Sequence, residues 1–306
     1  MAEQVQETPG ADSNPLIAFS AGLAAVVEGV APAVVRVDDG TRLTATGLIW
    51  DAGGVIVTTS HGTERDEDLA VELADGSRHT ATLVGRDPDT DLAVLRIEAT
   101  GLPTVAPVGE MVSKVGQLVL AVARPGGLGL QATLGVVSAY QDIQTNAGTG
   151  FLAHTDAAMY PGFSGGALVA MDGRVIGILN RAAGRGPGVT IGSPLVAQVA
   201  EALLAEGRVR RGYLGIRTQF VALPDSIRAV LPLPQEAGLL LSHVENGSPA
   251  EQGGLMIGDI LLAINEKTLE DVENLRGYLP AGQTVTIRVL RGGAVHDQPV
   301  MVGVAE

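Results

Sequence analysis

The feature that most constrains the fold is a succession of short apolar segments interrupted by turn residues. Six candidate strands precede a stretch that carries proline and glycine, Thr100–Gly109, and six follow it. Asp75-Gly76 and Asp172-Gly173 each lie between two apolar segments, which is the pattern of a tight hairpin. Two sets of six strands predict a mainly β fold of two small antiparallel barrels packed together. The predicted strands are 33–37, 44–50, 54–59, 69–73, 79–85 and 92–97, then 117–123, 132–138, 151–154, 166–170, 174–179 and 187–192.

Helical patterns precede and follow these strands. Asn14 and Pro15 are typical of a helix start, and apolar residues recur at helical spacing after them. A second helix is predicted to begin at Ser193-Pro194 and to end at Gly207.

Beyond a basic connector the pattern changes to a compact α+β module of about 95 residues, an ordinary domain size. It contains three strand-like segments, a short helix at Ser248-Pro249 and a longer helix marked by leucines from Leu269 to Leu279. The predicted organisation is a disordered N-terminus at 1–13, a double-barrel domain at 14–207, a linker at 208–211 and an α+β domain at 212–306.

Composition excludes several classes of function. The chain carries 20 basic and 34 acidic residues, a net charge of −14, and it has no basic tract, so we do not expect it to bind nucleic acid. It has no cysteine, which excludes disulfides, thiol catalysis and thiolate metal sites. Its five histidines show no pairing at the helical spacing of metal ligands, so no metal or other cofactor is expected.

The N-terminal stretch decides the expected location. Its most apolar segment, Pro15–Val27, stops at Glu28, and the first basic residue of the chain is Arg36. A membrane span needs about 18 apolar residues and a secretory signal begins with positive charge. We therefore expect no membrane span and a cytoplasmic location, although an exported form that has lost its signal would look the same.

Three distant residues indicate chemistry. Ser164 lies in a glycine-rich stretch, Gly162-Phe163-Ser164-Gly165-Gly166, where a hydroxyl can be exposed while backbone amides point into one pocket. His61 follows an apolar strand and Asp91 stands where a loop enters another. Each residue alone also fits a structural role. Together, on a predicted double barrel, they have the His, Asp, Ser order of chymotrypsin-like serine proteases.

The chain resembles the HtrA/Deg family of trypsin-like serine proteases from about residue 20 onward. This resemblance implies a chymotrypsin-like double six-stranded β-barrel followed by a PDZ domain. It implies Ser164 as nucleophile, His61 as general base and then acid, and Asp91 as the group that holds the histidine tautomer. The amides of Gly162 and Ser164 would form the oxyanion hole. The resemblance is carried by 32–35, 47–49, the strand before His61, 85–95, 135–139, 155–168 and 211–216.

The C-terminal module resembles the PDZ domains of these proteases. The resemblance implies that Tyr213, Leu214, Gly215 and Ile216 bind the terminal carboxylate of a peptide, which adds as a strand beside the Leu269–Leu279 helix. Core packing alone would also explain these apolar residues.

Two departures from the family pattern stand close to the predicted site. Phe163 replaces the usual Asn before the serine, and Ala167 replaces a proline; Gly62-Thr63 replaces two apolar residues after the histidine. Phe163 either packs beneath the loop or favours a collapsed oxyanion hole. The family's regulatory and specificity loops correspond to 145–150 and 181–188.

These observations favour an ATP-independent serine endopeptidase of protein quality control that cleaves unfolded or damaged proteins. The alternative is a catalytically silent peptide-binding or chaperone-like protein on the same fold. An α/β-hydrolase is rejected because a hairpin, rather than a helix, is predicted directly after Ser164. The family commonly forms homotrimers, for which Leu16, Phe19 and Leu23 are candidate contacts, although packing within one chain explains them equally well.

Overall fold

A computed structural model gives the architecture and describes residues 14–41, 44–109, 114–181, 188–230, 235–269, 275 and 277–305. The predicted disorder at 1–13 falls outside these residues. The described chain divides into two compact units. The first contains the residues up to Ile143 together with Gly150–Arg208, and the second contains Gln144–Thr149 and the residues from Val209 onward.

The N-terminal half of the first unit is a closed antiparallel barrel. Its strands are β1 Val34–Asp38, β2 Ala45–Asp51, β3 Val55–Thr59, β4 Leu69–Glu72, β5 Arg78–Asp87 and β6 Leu92–Ile97. They follow the order β1-β2-β3-β6-β5-β4, and pairing of β1 with β4 closes the cylinder. The hairpin between β4 and β5 turns at Gly76, whose φ of 84° suits glycine, as Asp75-Gly76 predicted.

The C-terminal half of the first unit repeats this architecture. Its strands are β7 Leu118–Ala123, β8 Gln131–Thr145, β9 Gly148–Thr155, β10 Ala167–Ala170, β11 Val175–Asn180 and β12 Val189–Gly192. They follow the order β10-β11-β12-β9-β8-β7, closed by pairing of β10 with β7. The prediction of two six-stranded barrels is therefore confirmed.

Aliphatic side chains fill both barrels because the chain has only nine aromatic residues. Most strand positions that face inward carry valine, leucine, isoleucine or alanine, and the central strands are buried along their whole length. Phe163, which belongs to no strand, is the largest fully buried side chain among the described residues. It packs in the core of the second barrel.

The N-terminal helix, α1 Pro15–Val30, lies almost entirely in solvent. The Asn14 side chain accepts the Leu16 N–H at 3.0 Å, which confirms the predicted cap, and a 3-10 turn, Ala31–Ala33, follows the helix. Only Val30 of α1 is buried, and Leu16 is 75% exposed.

This helix also corrects a prediction. By length and composition, the 19 residues Pro15–Ala33 form a helix apolar enough to cross a membrane, a property that signal sequences share. The expectation that no segment could span a bilayer was wrong because Glu28 alone does not offset a mean hydropathy of 1.8.

The second helix closes the first unit. Helix α2, Ser193–Glu206, ends at Gly207, which has the left-handed conformation (φ 72°) typical of a helix C-cap. The helix buries Leu195, Val199 and Leu203 on one face, as the spacing of these residues predicted.

The second unit is built on an antiparallel sheet of order β14-β15-β16-β18-β19, with β17 paired to β16 and β13 to β20. A cluster that includes Leu239, Leu261 and Ile287 forms its core. The predicted helix at Leu269–Leu279 lies largely outside the described residues. The elements are β13 Gly212–Tyr213, β14 Ile216–Ala222, α3 Asp225–Val230, β15 Ala237–Val244, α4 Pro249–Gln252, β16 Ile260–Ile264, β17 Lys267–Thr268, β18 Thr284–Arg291, β19 Ala294–Met301 and β20 Gly303–Val304.

Candidate active site

A cleft of about 780 Å³ in the first unit contains His61, Gly162 and Ser164. His61 comes from the turn after β3, and Ser164 comes from the loop between β9 and β10. Two residues of the sequence pattern, more than a hundred positions apart, therefore line one cleft, and each comes from a different barrel. No hydrogen bond joins their side chains in the described structure, which is common in unliganded sites of this kind.

Asp91 orients the His61 ring. The ring Nδ1 lies 2.5 Å from Asp91 Oδ2, and the His61 backbone N–H donates to Asp91 Oδ1 at 2.9 Å. An ionised carboxylate only accepts hydrogen bonds, so Nδ1 is the donor to Asp91, and Nε2 is the acceptor whenever the ring carries a single proton. The pair therefore presents a base to the cleft.

The environment of Asp91 favours its charged form. Burial alone would raise the pKa of Asp91, but the hydrogen bonds and charge of His61, with a further bond from Asn180, hold it below its usual value. The residue has φ of 57°, a left-handed conformation that aspartate adopts more readily than most residues. Its carbonyl accepts the Ser60 N–H at 2.8 Å, which ties β6 to the His61 turn.

Asn180 is a residue of the site that sequence reasoning missed. It ends β11, only 1% of its surface is exposed, and its side-chain amide donates to Asp91 Oδ2 at 2.9 Å. A buried polar side chain needs a hydrogen-bond partner, and Asp91 is that partner here. No local sequence pattern shows this pairing because the two residues are 89 positions apart.

Arg86 is a second residue that the sequence pattern missed. This β5 side chain donates four hydrogen bonds into the turn that carries His61. Its acceptors are the carbonyls of Ser60, Thr63 and Arg65, at 3.4, 2.6 and 3.4 Å, and the Asp66 carboxylate at 2.6 Å. The guanidinium group therefore holds the turn in one conformation.

The departure at Gly62-Thr63 has a local explanation. Thr63 is fully buried, and its hydroxyl lies 3.3 Å from the carbonyls of both Thr59 and Ser60. The Thr63 hydroxyl thus finds its hydrogen-bond partners within the turn and links its two ends. An apolar residue at this position could pack but could not make these bonds.

The loop that carries Ser164 is shaped by close backbone contacts. Gly162 has φ of 85°, and a Cβ there would lie 2.4 Å from the Pro125 ring. Gly165 has φ of 88°, and a Cβ there would lie 1.8 Å from the carbonyl oxygen of Thr46. Both positions therefore require glycine. Ser164 itself is 7% exposed, and its Oγ accepts the Arg181 N–H at 3.3 Å.

The backbone amides of Gly162 and Ser164 donate to no described residue. The Phe163 N–H between them donates to the Tyr160 carbonyl at 3.0 Å, and the Phe163 ring is fully buried with its edge against Tyr160. Of the two roles left open for Phe163, the structure has the ring packed beneath the loop. Gly162 and Ser164 both line the cleft, and their two amides are without an acceptor among the described residues.

The second unit has its own groove, of about 700 Å³. Tyr213, Leu214, Gly215 and Ile216 line it, as predicted for a peptide site, and the buried leucines Leu275 and Leu279 line it too. The N–H groups of Leu214 and Gly215 donate to no described residue, while the Gly215 carbonyl accepts from Glu245. The groove therefore offers free donors next to an apolar wall.

The Tyr213 hydroxyl adds a polar feature to this groove. It donates to the Glu245 carboxylate at 2.5 Å, and this bond raises the pKa of Tyr213. Of the family loops named above, 145–150 comprises the turn at 146–147 and the adjoining ends of β8 and β9. Residues 182–187 of the other loop lie outside the described residues.

Comparisons with known proteins agree with this geometry. The family model of the trypsin-like peptidase domain matches residues 45–178, and the PDZ domain model matches residues 241–291. Among solved structures, an HtrA-type protease AlgW with a decapeptide has a TM-score of 0.74 and 31% identity over 92% of this chain and 98% of its own. A serine endoprotease from Yersinia pestis has a TM-score of 0.72 and 30% identity over the same shares.

Curated relatives are named probable periplasmic serine endoproteases, DegP-like. The protein from Chlamydia muridarum is 36% identical over 268 residues, which is 84% of this chain and 53% of the relative. The one from Ectopseudomonas mendocina is 34% identical over 267 residues, or 84% of this chain and 56% of the relative. The chain thus spans about half the length of these relatives.

These names overturn the expectation of a cytoplasmic location. Relatives described as periplasmic are exported, and the apolar helix Pro15–Ala33 has the length and composition of a signal sequence. The cytoplasmic expectation was wrong because it relied on the absence of early basic residues and gave too much weight to Glu28.

The barrels, the domain matches and the similarity to solved HtrA-type proteases over almost their whole length agree with one another. The chain belongs to the HtrA/Deg family of trypsin-like serine proteases and carries a PDZ domain.

Proposed function

We propose that the chain is an ATP-independent serine endopeptidase in which Ser164, His61 and Asp91 form the catalytic triad. The observation that carries this proposal is the His61 ring, held by Asp91 through Nδ1, in the same cleft as Ser164. The domains of the proposal are a protease domain at 14–207 and a PDZ domain at 212–306, joined by 208–211.

The proposed reaction begins when Ser164 Oγ attacks the carbonyl carbon of the scissile peptide bond. The hydroxyl proton passes to His61 Nε2, and Asp91 stabilises the imidazolium that forms. The N–H groups of Gly162 and Ser164 bind the negative oxygen of the tetrahedral intermediate, each contributing about 3 kcal/mol.

Cleavage follows when the intermediate collapses. The C–N bond breaks as His61 Nε2–H protonates the departing amine, which leaves an acyl group on Ser164 Oγ. A water molecule then attacks this ester while His61 takes its proton, and the carboxylic acid product leaves with Ser164 restored.

The proposed substrates are unfolded or damaged proteins, in keeping with a role in protein quality control. An extended backbone fits a cleft between two barrels better than a folded surface does, and no nucleotide is needed for an exergonic hydrolysis. We also assign peptide binding to the PDZ groove, where the peptide adds to the sheet with its carboxylate near Leu214 and Gly215. That a similar solved structure is of the HtrA-type protease AlgW with a decapeptide agrees with peptide binding in general.

The proposed place of action is outside the cytoplasm, as the names of the DegP-like relatives suggest. We further propose a homo-oligomer, a trimer by family resemblance, with Leu16, Phe19 and Leu23 as candidate contacts. Leu16 and Phe19 are 75% and 50% exposed, so packing within the described chain leaves them uncovered. Light scattering of the full chain in mild detergent tests the mass, and a monomer would reject the assembly.

Digestion of unfolded casein by the wild type and by Ser164→Ala tests the activity. We expect fragments only from the wild type, and a fluorophosphonate should label only the wild type. A chain in which Phe163 silences catalysis would show neither casein loss nor labelling, while residues 212–306 would still bind peptides. That result would reject the protease in favour of the binding protein.

A further inference from the structure

Thr46 of the first barrel contacts the loop of the second barrel that carries Ser164. It lies on β2, is fully buried, and is not part of any catalytic pattern in the sequence. Its hydroxyl donates to the Gly162 carbonyl at 2.8 Å, and its backbone N–H donates to the Ser164 carbonyl at 3.0 Å. Thr46 therefore binds the carbonyls of the two residues that flank Phe163.

The remaining polar groups of Thr46 are also bonded. Its hydroxyl oxygen accepts the Arg124 N–H at 3.0 Å, and its carbonyl accepts the Thr58 hydroxyl at 2.7 Å. The hydroxyl thus accepts one hydrogen bond, from Arg124, and donates another, to Gly162, so its orientation is fixed. A buried group satisfied in this way is held rigidly.

This orientation has a direct effect on the loop. A peptide unit is planar, so the bond to the Gly162 carbonyl, together with the bond from the Phe163 N–H to Tyr160, fixes both edges of the same plane. The bond to the Ser164 carbonyl fixes the peptide plane between Ser164 and Gly165. The Ser164 N–H belongs to the plane between these two, whose Phe163 carbonyl accepts the Gly166 N–H at 2.9 Å, and the Gly162 N–H belongs to the plane before them. Both N–H groups donate to no described residue.

We propose that Thr46 is a positioning residue that keeps the amides of Gly162 and Ser164 directed into the cleft. The inference rests on the proposed function, because those amides matter only where an oxyanion forms. Thr46 touches no reacting atom. It acts by fixing the peptide planes next to those that carry the two donors, so that the donors need no reorganisation when the intermediate appears.

Thr46→Val tests the proposal because valine keeps the shape and removes the hydroxyl. The Gly162 carbonyl and the Arg124 N–H then lose their partner. We expect kcat to fall about 10- to 100-fold, somewhat less than the loss of a whole oxyanion donor, while KM changes less than about threefold. Thr46→Ser, which retains the hydroxyl, should restore kcat to within about threefold of the wild type.

The measurements use the full chain and a fluorogenic peptide built on a bond that the wild type cleaves in casein. Ser193→Ala is the matched control, because Ser193 is 1% exposed and its hydroxyl donates to the Val175 carbonyl at 2.7 Å, away from the cleft. Ser193→Ala should lower the free energy of unfolding in urea about as much as Thr46→Val does, and it should leave kcat unchanged. A peptide boronate, which forms a tetrahedral adduct on the serine, should lose affinity for Thr46→Val in proportion to kcat.

The outcomes separate the two proposals. Cleavage by the wild type with Thr46→Val as active as Ser193→Ala would overturn the role of Thr46 and leave the protease intact. Equal digestion of casein by the wild type and by Ser164→Ala would overturn the proposed protease activity, and with it the positioning role of Thr46. If Thr46→Val does not fold, Thr46→Ser against Thr46→Ala repeats the comparison, because both lack the methyl group and only serine keeps the hydroxyl.

Discussion

The turn that carries His61 and the loop that carries Ser164 are held by different forces. Ionic and charge-assisted hydrogen bonds hold the His61 turn, from the Asp91 carboxylate on one side and the Arg86 guanidinium on the other. The Ser164 loop is held by the buried Phe163 ring and by neutral hydrogen bonds to Tyr160 and to β2. The first arrangement should therefore respond to charge and pH, and the second to volume and packing.

This difference separates two requirements of the proposed chemistry. A base must keep one tautomer while its charge changes, which calls for a fixed counter-charge. An oxyanion hole needs donors that do not move, and close packing supplies this without a charge that would compete for the donors. Substitutions in the two regions should thus fail in different ways.

Asp91→Asn should have the largest effect, because it removes the counter-charge and keeps the shape. Asparagine also tolerates the left-handed conformation at this position, so the variant should fold, although it loses the stabilisation that the charge of Asp91 gives. We expect kcat to fall about 10⁴-fold, as the ring adopts the wrong tautomer. Steady-state kinetics measure this loss. A fall of less than about tenfold would mean that His61 needs no counter-charge here.

Phe163→Ala tests the packing of the Ser164 loop. Removing a fully buried phenylalanine should lower the free energy of unfolding by about 3–5 kcal/mol, as measured in urea. The control is Phe151→Ala, in the same core and 5% exposed, which should cost a similar amount. Where both variants remain folded, only Phe163→Ala should also lose kcat. Equal activity of the two would show that the ring stabilises the barrel and not the loop.

Arg86→Gln should slow catalysis by releasing the His61 turn. Four hydrogen bonds are lost, and we expect kcat to fall about 10- to 100-fold with a stability loss of about 1–3 kcal/mol. Arg78→Gln is the control on the same strand, since among the described residues that exposed side chain bonds only Asp38. This substitution should leave kcat unchanged. If both variants behave alike, the turn does not depend on Arg86.

Asn180→Ala should produce the smallest change, seen in the pH dependence of stability. Because the folded pKa of Asp91 is lowered, its charge stabilises the fold fully above the unfolded pKa of about 3.9 and loses that effect as pH falls through the folded value. Loss of the Asn180 donor should raise the folded pKa and reduce the stability difference between about pH 6 and about pH 3. Urea unfolding at both pH values measures this difference in stability. In an Asp91→Asn background, Asn180→Ala should no longer change the difference.

Local patterns predicted most of the strands because each apolar segment is bounded by turn residues that act within a few positions. Strands of the second unit that carry many polar residues were missed, and β19 even contains Pro299. That strand lies at the edge of the sheet, where a residue without an N–H is tolerated. Its place depends on its partner β18 and not on its own composition.

The predicted site residues came from a pattern of residue types and order. The residues that support them did not, because their contacts join distant parts of the chain. Thr46 and Gly162 are 116 positions apart, and Asn180 and Asp91 are 89 apart. No window of sequence contains both members of such a pair, so only the closed barrels reveal them.

The exposed N-terminal helix has a practical consequence. Because α1 buries only Val30, the barrels owe it almost no stability. A protein trimmed to begin at Ala31 should therefore keep the free energy of unfolding of its barrels and an unaltered cleft. Substitutions that keep this helix apolar should be neutral for folding, so any constraint on them comes from what the helix contacts outside the described chain.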